Sequence, residues 1–141
     1  MCAVTANLQH RRSTQERLKE LERETLLALD VCVLLIQELS VSTEGAVEEG
    51  LGEGVHANKA RRACIVLPQC LQQHVVNTAM GAEEWCAVQT REAAWVSLHL
   101  PCVRSRASVD RAEAILAEIG VTLRRWRRRG RPPRWIVVGG I

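Results

Sequence analysis

Residues 31–37, V-C-V-L-L-I-Q, constrain the fold of this chain more than any other stretch. Six apolar residues in a row leave no polar face, which rules out both an amphipathic helix and a half-solvated strand. A strand covered on both sides is what remains. Such a strand belongs inside a layered α/β domain. A second apolar run, residues 94–100 (A-W-V-S-L-H-L), makes the same demand. Both runs lead into residues with chemically useful side chains, Glu38 and His99. A rigid strand that exposes such a group at its carboxyl end is a common way to build a site.

The remaining segments can be arranged around these two. Residues 3–8 read as a first strand that presents Asn7. A helix follows, with Ser13 as N-cap, Glu16 three residues on, and Leu18, Leu21, Thr25, Ala28 and Leu29 along one face; its end is expected near Leu29 or Asp30. Residues 40–62, with E-G-A-V-E-E-G-L-G-E-G, read as a flexible surface loop. Residues 63–67 form a buried strand stopped by Pro68. Val75 and Val76 suggest a further short strand in an otherwise ambiguous region. Residues 84–89 and 94–100 pair as a hairpin across T-R-E-A. Ser108 is the expected N-cap of a second helix, with Ile115, Leu116, Ile119 and Leu123 on its buried side. That helix runs into R-R-W-R-R-R-G-R-P-P-R, where Gly130 and the prolines end it. Residues 135–138 give the last strand. The expected order is β-α-β-β-β-β-α-β, a single α/β domain spanning residues 1–141.

Composition narrows the partners. At 141 residues, 47% hydrophobic and 25% charged, the chain has material for one core and is not of the disordered class. Its net charge of +3 is mild, yet seven arginines fall between Arg124 and Arg134. That local tract suits phosphate backbones. The six cysteines include no C-x-x-C pair, and Cys64, Cys70, His74 and Cys86 match no zinc-finger spacing. The N-terminus, M-C-A-V-T-A-N-L-Q-H-R-R, has no basic leader before an apolar core, so an intracellular chain with reduced thiols is expected. The longest apolar run, residues 26–36, carries Asp30 and is too short to span a bilayer, so no membrane partner is expected.

Asn7, Glu38 and His99 each stand where a strand meets a loop. The trio suits phosphodiester hydrolysis: a carboxylate is a hard ligand for Mg²⁺, an amide holds phosphate without adding negative charge, and an imidazole moves the proton. A first strand ending T-A-N-L-Q, then D-V-C-V-L-L-I-Q-E, then W-V-S-L-H-L-P, a helix, and finally R-W-I-V-V-G-G follow one another in a familiar order. In this the chain resembles the endonuclease/exonuclease/phosphatase superfamily, with similarity to deoxyribonuclease-like proteins and to the endonucleases of non-LTR retrotransposons. The resemblance implies a four-layer α/β sandwich, a Mg²⁺-dependent phosphodiesterase acting on DNA, Glu38 as the metal ligand, and catalytic roles for Asn7 and His99.

The resemblance also implies gaps. In the family V-V-G-G is followed by D-F-N; here Gly139-Gly140 is followed by Ile141. The family's later Asn and Asp-His pair have no counterpart, so the chain is expected to be a truncated, N-terminal part of such a domain. It is then expected to be inactive or trace-active alone, with an inner sheet face bare unless a complementary C-terminal half covers it. Two alternatives stand beside this reading. Residues 129–132, R-G-R-P, match the core of an AT-hook, which would bind DNA through Arg129 and Arg131. A non-functional fragment is the other.

Overall fold

In the computed structural model, which describes residues 2–7, 14–26, 28–37, 56–59 and 62–140, the chain is an α/β sandwich of four layers. Its strands are β1 (Cys2–Asn7), β2 (Cys32–Gln37), β3 (His56–Lys59), β4 (Ala63–Leu67), β5 (Asn77–Met80), β6 (Trp85–Gln89), β7 (Ala93–Leu98) and β8 (Trp135–Gly140). Its helices are α1 (Thr14–Thr25), the single turn α2 (Gln69–Gln72) and the long α3 (Arg106–Arg129). One sheet has the order β1-β2-β4-β3, the other β5-β6-β7-β8. β1 pairs with β2 in parallel, as β7 does with β8, and all other pairings are antiparallel. The chain therefore reads almost as a palindrome: a β-α-β unit and two antiparallel strands, then two antiparallel strands and a β-α-β unit.

Period-two alternation sorts the side chains into three cores. Val33, Leu35, Ala63, Ile65 and Leu67 of the first sheet meet Cys86, Val88, Ala93 and Trp95 of the second, and this is the seam between the sheets. The opposite faces of β2 and β4 (Cys32, Leu34, Ile36, Cys64, Val66) pack under Leu18 and Leu21 of α1. On the far side Trp85, Ala87, Val96 and Leu98 pack against Ile115, Ile119, Leu123 and Trp126 of α3. Every residue of β2, β4, β6 and β7 is buried. The inner face, expected from the sequence to be bare, is covered over these central strands, but it is open at the edges of the second sheet, where Thr78 and Met80 of β5 and Trp135 of β8 lie on the seam side and are exposed. Ile136 and Val138 of β8 are open to solvent as well.

Several boundaries differ from expectation. α1 ends at Thr25 because Leu26 takes a left-handed backbone (φ 56°), which breaks the helical hydrogen-bond series. Leu29 still reaches the core from the 3₁₀ turn Leu29–Val31, whose first N–H donates to the Glu22 carboxylate at 3.1 Å. The N-cap of α3 is Ser105, whose hydroxyl accepts from the Ser108 N–H, while Ser108 completes a reciprocal capping box from the third helical position. Residues expected to be loop include β3, held by pairing to β4, and the strand in the ambiguous region is Asn77–Met80 instead of Val75-Val76. Ser13 and most of residues 40–62 lie outside the described residues.

Candidate active site at the strand ends

Two parallel pairs in stacked sheets can direct four carboxyl ends to one place, and here they do. Asn7 lies beside Gln37 in the β1–β2 register, and Leu98 lies beside Gly140 in the β7–β8 register. The two pairs are tied together by a buried polar relay. The Gln37 side-chain amide donates to the Ser97 hydroxyl at 3.0 Å and to the Leu35 carbonyl at 2.9 Å. The Ser97 hydroxyl donates to the Ile36 carbonyl at 2.8 Å, and Thr5 donates to the Gln37 amide oxygen at 3.4 Å. Gln37 and Ser97 sit on seam faces, two positions beyond Leu35 and Trp95, so alternation alone aims them at each other.

Glycine sets how closely the sheets approach at this end. A Cβ on Gly139 would stand 2.7 Å from the Leu35 Cβ and 2.8 Å from the Thr5 hydroxyl. A Cβ on Gly140, whose φ is +123°, would run into the Leu98 carbonyl oxygen.

His99 leaves β7 anchored by its backbone N–H, which donates to the Glu84 carbonyl at 2.7 Å; its ring is half-buried and its Nδ1 is shielded from solvent. Beneath it, Arg111 of α3 grips the Glu84 carboxylate with two hydrogen bonds, at 3.0 and 2.7 Å. That guanidinium lowers the Glu84 pKa despite burial, and Glu84 in turn raises that of Arg111.

Of the three expected site residues, Asn7 and His99 thus lie at the same end of the sandwich, on different sheets. Glu38 lies outside the described residues, next in sequence to Gln37. Gln37, Ser97 and Thr5 were not anticipated. The available signal was a polar residue inside an otherwise apolar strand, which needs a partner when buried.

Arg129 and Arg131 are elsewhere. Arg129 is the last residue of α3, and only from Gly130 onward, at φ −164° and ψ −163°, is the R-G-R-P backbone extended. α3 starts at Arg106 and runs 24 residues, and the connection after it returns to β7 at Glu92, to whose carbonyl the Arg134 N–H donates, so this tract lies at the end of β7 opposite His99. Among the described residues no helix is long and apolar enough to cross a membrane, and no group of three or more His, Cys, Asp or Glu side chains is close enough to hold a metal.

No protein-family model matches the chain, and no curated protein matches it. Among solved structures it is similar to the endonuclease domain of TRAS1, a telomere-specific non-LTR retrotransposon, at 19% identity and a TM-score of 0.55. The superposition covers 98% of this chain and 58% of that one, so the chain spans little more than half of that domain's length. At this identity the likeness establishes a distant endonuclease-like fold.

Proposed function

We propose that the end carrying Asn7 and His99 is part of a phosphodiesterase site for DNA, of the endonuclease/exonuclease/phosphatase type. The observation that carries this reading is the convergence of four parallel strand ends from two sheets, on a fold like that of a retrotransposon endonuclease domain. In it the Asn7 amide donates to a phosphate oxygen, and His99 moves the proton between the reacting oxygen and water.

Mg²⁺ is the cofactor such a site would use, as a ligand of phosphate oxygens. The described donors do not suffice for it. Gln37 and Ser97 bond to each other, and the described residues provide no cluster of three acidic, His or Cys side chains. Glu38 is the carboxylate that follows Gln37 in the sequence, and we assign it as the ligand. Further ligands and the water-activating acid would come from a complementary half, in line with the 58% of the neighbouring domain that this chain matches. The chain alone is then inactive or trace-active.

The test is nicking of supercoiled plasmid by the purified chain with and without Mg²⁺, alongside binding of a short DNA duplex with Mg²⁺ present. Trace, Mg²⁺-dependent nicking that falls about tenfold or more in Asn7→Ala, Glu38→Ala and His99→Ala is expected, within the usual range for losing a general acid-base group. Nicking indifferent to all three substitutions, or the absence of both nicking and Mg²⁺-dependent duplex binding, overturns the reading.

A further inference from the structure

At the end opposite the candidate active site, we propose a separate binding surface for single-stranded nucleic acid. Phosphates would meet Arg91, Arg129 and Arg131, and an unpaired base would stack on Trp135.

Charge is the first observation. The last turns of α3 and the connection to β8 carry Arg124, Arg125, Arg127, Arg128, Arg129, Arg131 and Arg134, and the β6–β7 turn adds Arg91 beside them. Among the described residues the arginines in ion pairs are Arg17, Arg62, Arg106 and Arg111, so none of these eight is neutralised by a described carboxylate. Because the whole chain is only +3, the rest of the molecule is net acidic. Positive charge is concentrated at this end, and that concentration favours a polyanion here.

Shape is the second. Two adjoining clefts, of about 610 and 490 Å³, share Arg91 in their walls. The smaller is flanked by Arg129, Arg131 and Gln89, and the Gln89 amide reaches the Arg131 carbonyl at 3.5 Å, which pins the connection at its rim. The larger is walled by Leu71, Trp95 and Trp135, with His74 turning a buried Nδ1 that accepts no described hydrogen bond. Trp95 is committed to the core and its indole N–H donates to Thr90. Trp135 is different: it is 60% exposed, with the Arg134 guanidinium 5.7 Å from its ring centre.

An exposed indole among unneutralised arginines and next to a groove is the chemistry of single-strand binding, where bases stack on aromatic rings and guanidinium groups follow the backbone. A duplex keeps its base faces stacked and cannot use Trp135 in this way. The surface uses neither Asn7, Glu38 nor His99, so it stands or falls apart from the hydrolytic reading.

Fluorescence anisotropy with labelled dT15 and rU15 tests this, over 50–300 mM salt, with an A·T-rich duplex and phosphatidylserine vesicles as competitors. Log affinity is expected to fall linearly with log salt, by roughly 0.7 per phosphate contact, and Arg129→Ala with Arg131→Ala should flatten that slope. Trp135→Ala should weaken binding roughly tenfold, while Trp135→Phe keeps most of it and shows that loss of folding is not the cause. Arg17→Ala, on α1 and paired with Glu20 and Glu24, should leave affinity unchanged. Absence of oligonucleotide binding, or binding indifferent to the arginine and Trp135 substitutions, overturns the proposal. So does preferential capture of the A·T-rich duplex lost in Arg131→Ala, which is the behaviour of a hook, or of the vesicles, which is that of a membrane surface.

Discussion

Ser97→Ala should be costly for so small a change. The residue is fully buried, and its hydroxyl both accepts from the Gln37 amide and donates to the Ile36 carbonyl. Truncation removes two hydrogen bonds and leaves a Gln37 N–H facing a methyl group in a site without water access. Each lost bond is worth about 1 kcal/mol, and the unsatisfied buried donor adds to that, so the expected loss is about 2–3 kcal/mol. At a few degrees per kcal/mol for a chain of this size, Tm should fall by roughly 10 °C. Gln37→Leu should cost less, about 1–2 kcal/mol, because Thr5 can turn to water and Ser97 keeps its bond to Ile36. The double variant should be more stable than the sum of the singles by about 1–2 kcal/mol, since the apolar pair leaves no stranded amide. Urea denaturation followed by tryptophan fluorescence measures all four corners of this cycle. A Ser97→Ala cost under about 0.5 kcal/mol, or additive single effects, would refute the claim that this relay joins the sheets.

Three further outcomes are expected. Leu26→Gly should stabilise the chain by roughly 0.5–1 kcal/mol, because Leu26 is exposed at φ 56° and a glycine there relieves backbone strain; a loss in thermal unfolding would count against the helix stop. Gly139→Val should cost about 1–3 kcal/mol or more, since the added atoms fall on Leu35 and Thr5, and a neutral result by urea denaturation would mean the sheets are not held at that spacing. Glu84→Gln should be destabilising at neutral pH. The wild-type carboxyl titrates below its ordinary range, so the contribution of its pair with Arg111 is present above the unfolded-state pKa and fades as pH falls through the lowered folded value. Thermal melts of the two proteins should therefore converge in acid, and a gap that widens there contradicts the pairing.

The parts of the fold that can be read from the sequence are those whose burial is local in cause. β2, β4, β6 and β7 are apolar runs bounded by polar or turn residues, and their covered state follows from composition. β3 (H-A-N-K) and β5 (N-T-A-M) carry no such signal, because they are edge strands that exist through backbone pairing with β4 and β6. α1 shows its stripe but not its end, since Leu26 adopts a conformation that leucine rarely takes and that neighbouring packing must impose. At the candidate site, Asn7 and His99 can be named from strand ends and resemblance. The Gln37–Ser97 contact spans 60 residues of sequence, and only the stacking of two sheets reveals it.

The near-palindromic chain has a consequence for assembly. One β-α-β unit brings Asn7 and Gln37, the other brings Ser97 and His99, and neither contains the site by itself. The candidate site is thus a property of the seam: its residues come together when the two halves dock and separate when they part. Any ligand that bridges Asn7 and His99 therefore acts as a clasp between the sheets, and its binding free energy adds directly to the stability of their association.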